Sequence, residues 1–385
     1  MSGFLAPFKA PSALGRYRVL SPLAGVRVSP ICLGAMSIGD EWEKIGMGAM
    51  NKESSFKLLD AFFERGGNFI DTANVYQNET SEKFIGEWME TRGIRDQIVV
   101  ATKYTASYKM QNTSIKVKVN YMGTNAKSLY VSVEESLKKL RTSYIDLLYV
   151  HWWDWGTSVE EVMNALHHLV QSRMVLYLGV SDTPAWVVAK ANQYARLTGK
   201  TPFSVYQGRW NVLQRDFERE IIPMARAEGL ALCPWGVLAG GKIRTDAEED
   251  ARRATGENGR ALMGGNWERN ENERKMAKVL EKVAAEVGTK NIQAVAIAYV
   301  MQRTPYVFPI IGGRKVEHLD SNLEALNVAL SKEQIAEIEG VIPFDLGFPS
   351  NFVGKLDAEE DDYRIRTAGE TVRWPVASAI VPSNM

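Results

Sequence analysis

The chain has 385 residues, 45% of them hydrophobic, with 46 Lys and Arg balanced against 46 Asp and Glu. That balance leaves no global field to draw it to nucleic acid or a lipid surface. No apolar run approaches the ~20 residues a membrane helix needs, so a soluble globular protein with a large core is expected.

Two cysteines, Cys32 and Cys233, lie in apolar strand-like runs and are expected to be buried reduced thiols rather than a disulfide. The first residues have no basic head, and Pro7 and Lys9 break their apolar stretch, so no secretory signal is expected. A cytoplasmic location follows, in which the sequons at Asn78 and Asn112 carry no meaning.

In chain order, residues 1–16 read as a loose arm rich in Pro, Ala and Gly, and 17–20 with 26–29 as a small hairpin. From 31–36 onward one unit repeats: apolar strand, loop, amphipathic helix. The strands are predicted at 31–36, 69–70, 98–103, 145–151, 175–180, 204–207, 230–235 and 306–310. The helices are predicted at 54–65, 81–89, 129–140, 159–170, 186–197, 218–227, 273–286 and 317–326.

Two connections are long, 104–125 after the third strand and the polar stretch 240–270 after the seventh; connections over ~15 residues tend to be functional. Eight strict alternations without a domain break predict a single-domain (β/α)8 TIM barrel over 17–345. The tail, 346–385, contains the acidic run 359–362 and Trp374, and is expected either to be disordered or to lie over the barrel mouth.

The stretch 68–76 (NFIDTANVY) organises the rest. It ends a strand at Asp71 and places Tyr76 in the following loop, while two later strands end at Lys103 and His151. Singly, each has an ordinary reading as cap, solvated charge or packing residue. In a parallel barrel, however, all four gather at the C-terminal end of the strands, where such folds keep their chemistry.

A phenol with a pKa near ~10 donates well to an alkoxide forming as hydride reaches a carbonyl. Lys103 beside it would lower that pKa and Asp71 would compensate the ammonium. His151 Nε2 could polarise the carbonyl by a hydrogen bond. No cluster has metal-ligand spacing, so no metal is expected. On chemistry alone, a Schiff-base aldolase using Lys103 is a rival.

At this point the sequence resembles the aldo-keto reductase superfamily over roughly 17–345. The blocks 67–76 (GNFIDTANVY) and 144–151 (YIDLLYVH) are similar to its two signatures, and its catalytic tetrad falls on Asp71, Tyr76, Lys103 and His151. The resemblance implies a (β/α)8 barrel and hydride transfer from NADPH to an aldehyde or ketone. A Rossmann site is not indicated, since no G-x-G-x-x-G follows a strand.

The resemblance instead implies cofactor contacts at Gly34, Ala35 and Met36, and at Ser181 and Gln207 for the nicotinamide amide. Asp182 stands where the family usually has Asn. Trp235 takes the place of the stacking aromatic, and 236–242 (GVLAGGK) looks like the pyrophosphate-covering loop, with Gly236, Leu238, Gly240 and Lys242.

Segment 310–315 (IIGGRK) opens the last helix, where amides and dipole favour an anion. Ile311 and Gly313 belong to it, and Arg314 and Lys315 suit the 2′-phosphate of NADPH. His318 and Ser321 depart from frequent family residues, whereas Asn322 matches one near the adenine.

Trp42, Tyr108, Tyr121 and Trp152 are expected to line an aromatic substrate pocket. Residues 8–18 (FKAPSALGRYR) and 344–349 (FDLGFP) most resemble fungal aryl-alcohol dehydrogenases. This implies exchange of benzaldehydes such as veratraldehyde and anisaldehyde with their alcohols, by a monomer or homodimer. The alternatives are a regulatory subunit resembling potassium-channel β subunits, or a reductase of other carbonyls such as polyketide-derived ketones.

Overall fold

A computed structural model describes residues 9–43, 50–255, 267–354 and 377–382. An antiparallel hairpin, β1 (Arg18–Ser21) and β2 (Ala24–Val28), comes first. Eight parallel strands follow: β3 (Cys32–Gly34), β4 (Phe69–Asp71), β5 (Val99–Tyr104), β6 (Ile145–Val150), β7 (Val175–Ser181), β8 (Val205–Arg209), β9 (Ala231–Trp235) and β10 (Ile310–Ile311).

They pair in the order β10-β3-β4-β5-β6-β7-β8-β9. Leu232 of β9 bridges Val307, donating to Tyr306 O at 2.9 Å and accepting from Phe308 N at 2.8 Å, which brings the two ends of the sheet together. The eight-stranded TIM barrel expected from the alternation is the architecture observed.

Around it lie α1 (Lys52–Glu64), α2 (Thr80–Arg92), α3 (Ala126–Lys139), α4 (Val159–Gln171), α5 (Ala185–Leu197) and α6 (Ile221–Glu228). Then come α7 (Asp246–Thr255), α8 (Glu271–Glu286), α9 (Ile292–Gln302), α10 (Val316–Leu323), α11 (Lys332–Gly340) and the short α12 (Ser350–Val353). Starts are set by side-chain oxygens that take up free amide donors: Asn51 for α1, Asn125 for α3, Ser158 for α4 and Asn270 with Glu273 for α8. α4 shows the packing rule, with Val159, Val162, Met163, Leu166 and Leu169 forming one buried stripe toward the sheet.

Period two along each strand sorts side chains between two cores. Outward positions such as Ile70, Val100, Leu148, Val150, Leu178 and Val180 pack under the helices. Inward positions, Cys32, Phe69, Val99, Ala101, Leu147, Tyr149, Val205, Ala231 and Cys233, fill the barrel together with Phe308, and Leu20, Ala24 and Val28 of the hairpin join them. Tyr149 is the widest plug; a Cβ at Gly179 would fall 2.5 Å from its ring, so only glycine fits there. Both cysteines are buried and free.

Among the described residues, four helices escape the sequence reading: the single turn α12 in the tail, and three longer ones. α9 is buried at Ile292 and from Ala294 to Met301 on all faces, so it has no amphipathic stripe to detect. α7, inside the predicted polar stretch 240–270, consists mostly of charged residues; its Glu249 is buried and accepts from Arg244, Arg269 and Arg274. α11 is short and only Ile338 of it is buried.

The acidic run 359–362 and Trp374 lie outside the described residues. Ala377, Ser378 and Ile380 of the tail line a cavity of about 330 Å³ with Tyr17, Arg18 and Val19 of the hairpin. That cavity is at the end of the barrel opposite the strand C-termini.

Candidate active site

Continuing the inward parity beyond the packed layers leads directly to polar residues. Phe69 is followed two on by Asp71, Ala101 by Lys103, Tyr149 by His151, Gly179 by Ser181, Val205 by Gln207 and Cys233 by Trp235. Register sets these ends level or two residues apart: Ser181 pairs with Gln207, whereas Asp71 pairs with Ala101, Lys103 with Tyr149 and Gln207 with Cys233. The ladder also extends into the loops, through Ala35 N to Asp71 O at 2.8 Å, Asn74 N to Lys103 O at 3.1 Å and His151 N to Tyr104 O at 3.1 Å.

At the centre, Lys103 Nζ donates to Asp71 Oδ2 at 2.6 Å and to Thr72 O at 2.7 Å, and Gln207 Nε2 donates to Asp71 Oδ1 at 2.9 Å. The Lys103 and Asp71 side chains are 0% and 4% exposed, so this pair is out of reach of solvent screening. The Lys103 ammonium lies 5.1 Å from the Tyr76 ring centroid. Tyr76 and His151 meet edge to face with centroids 5.9 Å apart, and Trp42 closes on Tyr76 from another side at 6.1 Å. The four residues separated in sequence therefore form one cluster.

Burial opposes the Lys103 charge, but Asp71, Tyr76 and Cys32 outweigh it and hold the ammonium above its ordinary pKa. Burial raises the Tyr76 phenol, and the lowering by Lys103 offsets only part of this. The expectation of a net depressed phenol is thus reversed: Lys103 acts in the expected direction, but desolvation is larger. His151 is held well below the ordinary imidazole value by burial and by Lys103, and is neutral near pH 7. Its Nδ1 is buried without a partner among the described residues, which leaves Nε2 able to carry the ring hydrogen and donate it.

Beside this cluster, Ser181 Oγ donates to Asp182 Oδ2 at 3.1 Å and Trp235 Nε1 lies 3.2 Å from the same carboxylate. Asp182 has φ 43°, a left-handed conformation that Asn and Asp tolerate best among non-glycine residues. Burial raises its pKa. Arg209, not anticipated from sequence, sits 5.9 Å over the Trp235 ring; its inward parity at the end of β8 was the available signal.

Gly236, Gly240 and Gly241 all have positive φ, and Leu238 precedes the turn. Lys242 is engaged by Glu268 O at 2.5 Å and by Glu273 at 3.4 Å rather than standing free. After β10 and Gly313, Arg314 and Lys315 are exposed at the start of α10, where the N-cap residue Lys315 makes no side-chain capping bond among the described residues. His318 is exposed and Asn322 buried on the same helix, and Ser321 is bonded by Asn291 at 2.8 Å.

A helix start, two exposed cations, glycine-rich turns and an indole fit a dinucleotide phosphate with a flat ring. Among the aromatics, Trp152 stacks obliquely on His151 at 4.6 Å and is 44% exposed. Tyr108 instead is buried against α3, its hydroxyl 3.4 Å from Val131 O, with Tyr121 packed edge-on to it at 5.8 Å.

Residues 30–343 match the aldo/keto reductase family model. The chain belongs to the aldo/keto reductase family. This reductase is 60% identical, over 97% of either chain, to an aryl-alcohol dehydrogenase of Phanerodontia chrysosporium whose name carries NADP(+). It is 57% identical to a putative aryl-alcohol dehydrogenase of Saccharomyces cerevisiae, over 89% of this chain and 91% of that one. To norsolorinic acid reductase A of Aspergillus parasiticus it is 54% identical, over 95% and 90%. Among its described residues no helix is long and apolar enough to cross a membrane.

Proposed function

We propose that this aldo/keto reductase interconverts aromatic aldehydes and benzylic alcohols with NADP(H), and that Tyr76 supplies the proton. When bound, the cofactor supplies the hydride. Tyr76 gives its phenolic proton to the carbonyl oxygen as the carbon is reduced, and takes it back in alcohol oxidation. Neutral His151 holds that oxygen through Nε2. Lys103, anchored by Asp71, stabilises the phenolate left behind.

The observation that carries the reading is the edge-to-face approach of the Tyr76 and His151 rings beside a fully buried ammonium. One oxygen can then meet a phenolic O–H and an imidazole N–H together. Trp42 and Trp152 offer apolar faces to an aromatic ring. Likeness to dehydrogenases named for aryl alcohols supports the substrate class.

A second reading, reduction of a polycyclic aryl ketone, is favoured by the likeness to norsolorinic acid reductases and by the exposure of Trp152 and Trp155. The test is NADPH oxidation by the purified protein with veratraldehyde, anisaldehyde and a polycyclic aryl ketone. Turnover of the benzaldehydes on the order of 1 per second or faster is expected. A ketone preferred by tenfold or more in kcat/KM would overturn the substrate assignment and leave the chemistry standing.

For the cofactor, Arg314→Ala is expected to weaken NADPH about tenfold to a hundredfold, the ~1.5–3 kcal/mol of a charge-assisted hydrogen bond. NADH binding should change less than about twofold. Equal losses in a fluorescence titration would remove Arg314 from the 2′-phosphate.

A further inference from the structure

Behind Tyr76 the backbone is strained. Gln77, Asn78 and Glu79 follow one another at φ 52°, 49° and 80°, a left-handed run of three non-glycine residues. Each such residue costs roughly 1 kcal/mol or more, so the run persists only where its surroundings enforce it. Gln77 is buried, donates to Met36 O at 2.9 Å and accepts from Trp42 N at 2.8 Å, and Asn78 Oδ1 accepts from Trp42 Nε1 at 3.1 Å.

Glu79 is held from the other side by two lysines, Lys109 at 2.8 Å and Lys139 at 3.1 Å. Lys139, the last residue of α3, is a buried cation that the reaction itself does not use. Its ammonium pairs with Glu82 at 2.7 Å and also reaches Asn74 O at 3.5 Å. A single charge thus grips the chain two residues before Tyr76 and three residues after it.

The grip is tied back to the barrel. Glu82 is fully buried on α2, and its other oxygen accepts from Thr102 Oγ1 at 2.6 Å, the residue before Lys103. Burial opposes the Lys139 charge, while Glu82 and Glu79 outweigh it and keep it protonated. The approach of α3 to α2 needs Gly86, where a Cβ would collide with Lys139 O. Apolar replacement of a buried ion pair is often neutral or stabilising, so stability alone does not account for two buried charges and a half-buried one. Hydrophobic side chains could not grip a carbonyl and a carboxylate on opposite flanks of Tyr76.

We infer that Lys139, with Glu79 and Glu82, is a positioning residue that fixes the Tyr76 hydroxyl by clamping both flanks of its loop. This rests on the proposed role of Tyr76 as proton donor. Two variants test it: Lys139→Met, and Lys139→Met/Glu82→Gln, which removes one charge of each sign and leaves Glu79 with Lys109. The readout is the single-turnover rate constant for NADPH oxidation by veratraldehyde, which does not depend on how much protein is folded.

In the charge-balanced variant that constant is expected to fall about tenfold to a hundredfold, the effect of a displacement near 1 Å. NADPH affinity and aldehyde KM should stay within about twofold. A rate constant within twofold of the parent overturns the inference, and so does failure of both variants to bind NADPH, which would make the cluster structural. Tyr76→Phe in the same assay separates the two ideas. If it reacts at the parent rate, the proton-donor reading fails and takes the clamp with it; if it is slow while the charge-balanced variant is fast, only the clamp fails.

Discussion

Tyr76→Phe is expected to lower kcat for aldehyde reduction by about a hundredfold to ten-thousandfold, while NADPH affinity changes less than about twofold. The range is that of a positioned general acid. The substitution removes one oxygen and keeps the ring, so the edge-to-face contacts with His151 and Trp42 survive. Lys103 loses a neighbour that favours its charge, but keeps Asp71 at 2.6 Å. The loss should therefore be confined to proton delivery. Steady-state kinetics with a parallel fluorescence titration of NADPH check both halves, and a variant with near-parental kcat would assign the proton to another donor.

Lys103→Met is expected to destabilise the protein by about 3–5 kcal/mol as well as to inactivate it, because it leaves the Asp71 carboxylate buried without its cation. Among the described residues, Gln207 would remain bonded to that carboxylate. The double variant Lys103→Met/Asp71→Asn should recover much of the stability, since no lone charge remains, yet stay inactive. Stability would return without activity because the phenolate would have no ammonium beside it. Denaturant unfolding of parent, single and double variants measures this. Equal stability of the single and double variants would mean that the pair is not a mutually dependent buried unit.

Much of this arrangement was legible in the sequence because inward parity is a local property. Strands as short as β4 and as long as β6 both end in the expected residue, Asp71 for one and His151 just past the other. What escaped was whatever burial disguises. α9 gives no amphipathic signal because every face of its central stretch is covered, and nothing in the sequence marks Glu249, Glu82 and Lys139, although each is buried.

Energetic balances were equally hidden. That Lys103 would stand beside Tyr76 could be anticipated, but desolvation of the phenol exceeds the effect of that charge only because of how deep the pair sits. Tyr108 shows the converse: loop aromatics carry no periodicity, and this one is committed to packing on α3 with Lys109 and Lys139 over its ring at 4.9 and 5.1 Å.

On the proposed mechanism, one substrate oxygen is met by both the Tyr76 phenol and the His151 imidazole. A crystal structure of the ternary complex with NADP(+) and veratraldehyde tests it most directly. The carbonyl oxygen is expected within about 2.6–3.2 Å of Tyr76 Oη and of His151 Nε2. A carbonyl oxygen bound against another donor, with the phenol out of hydrogen-bond reach, would contradict it.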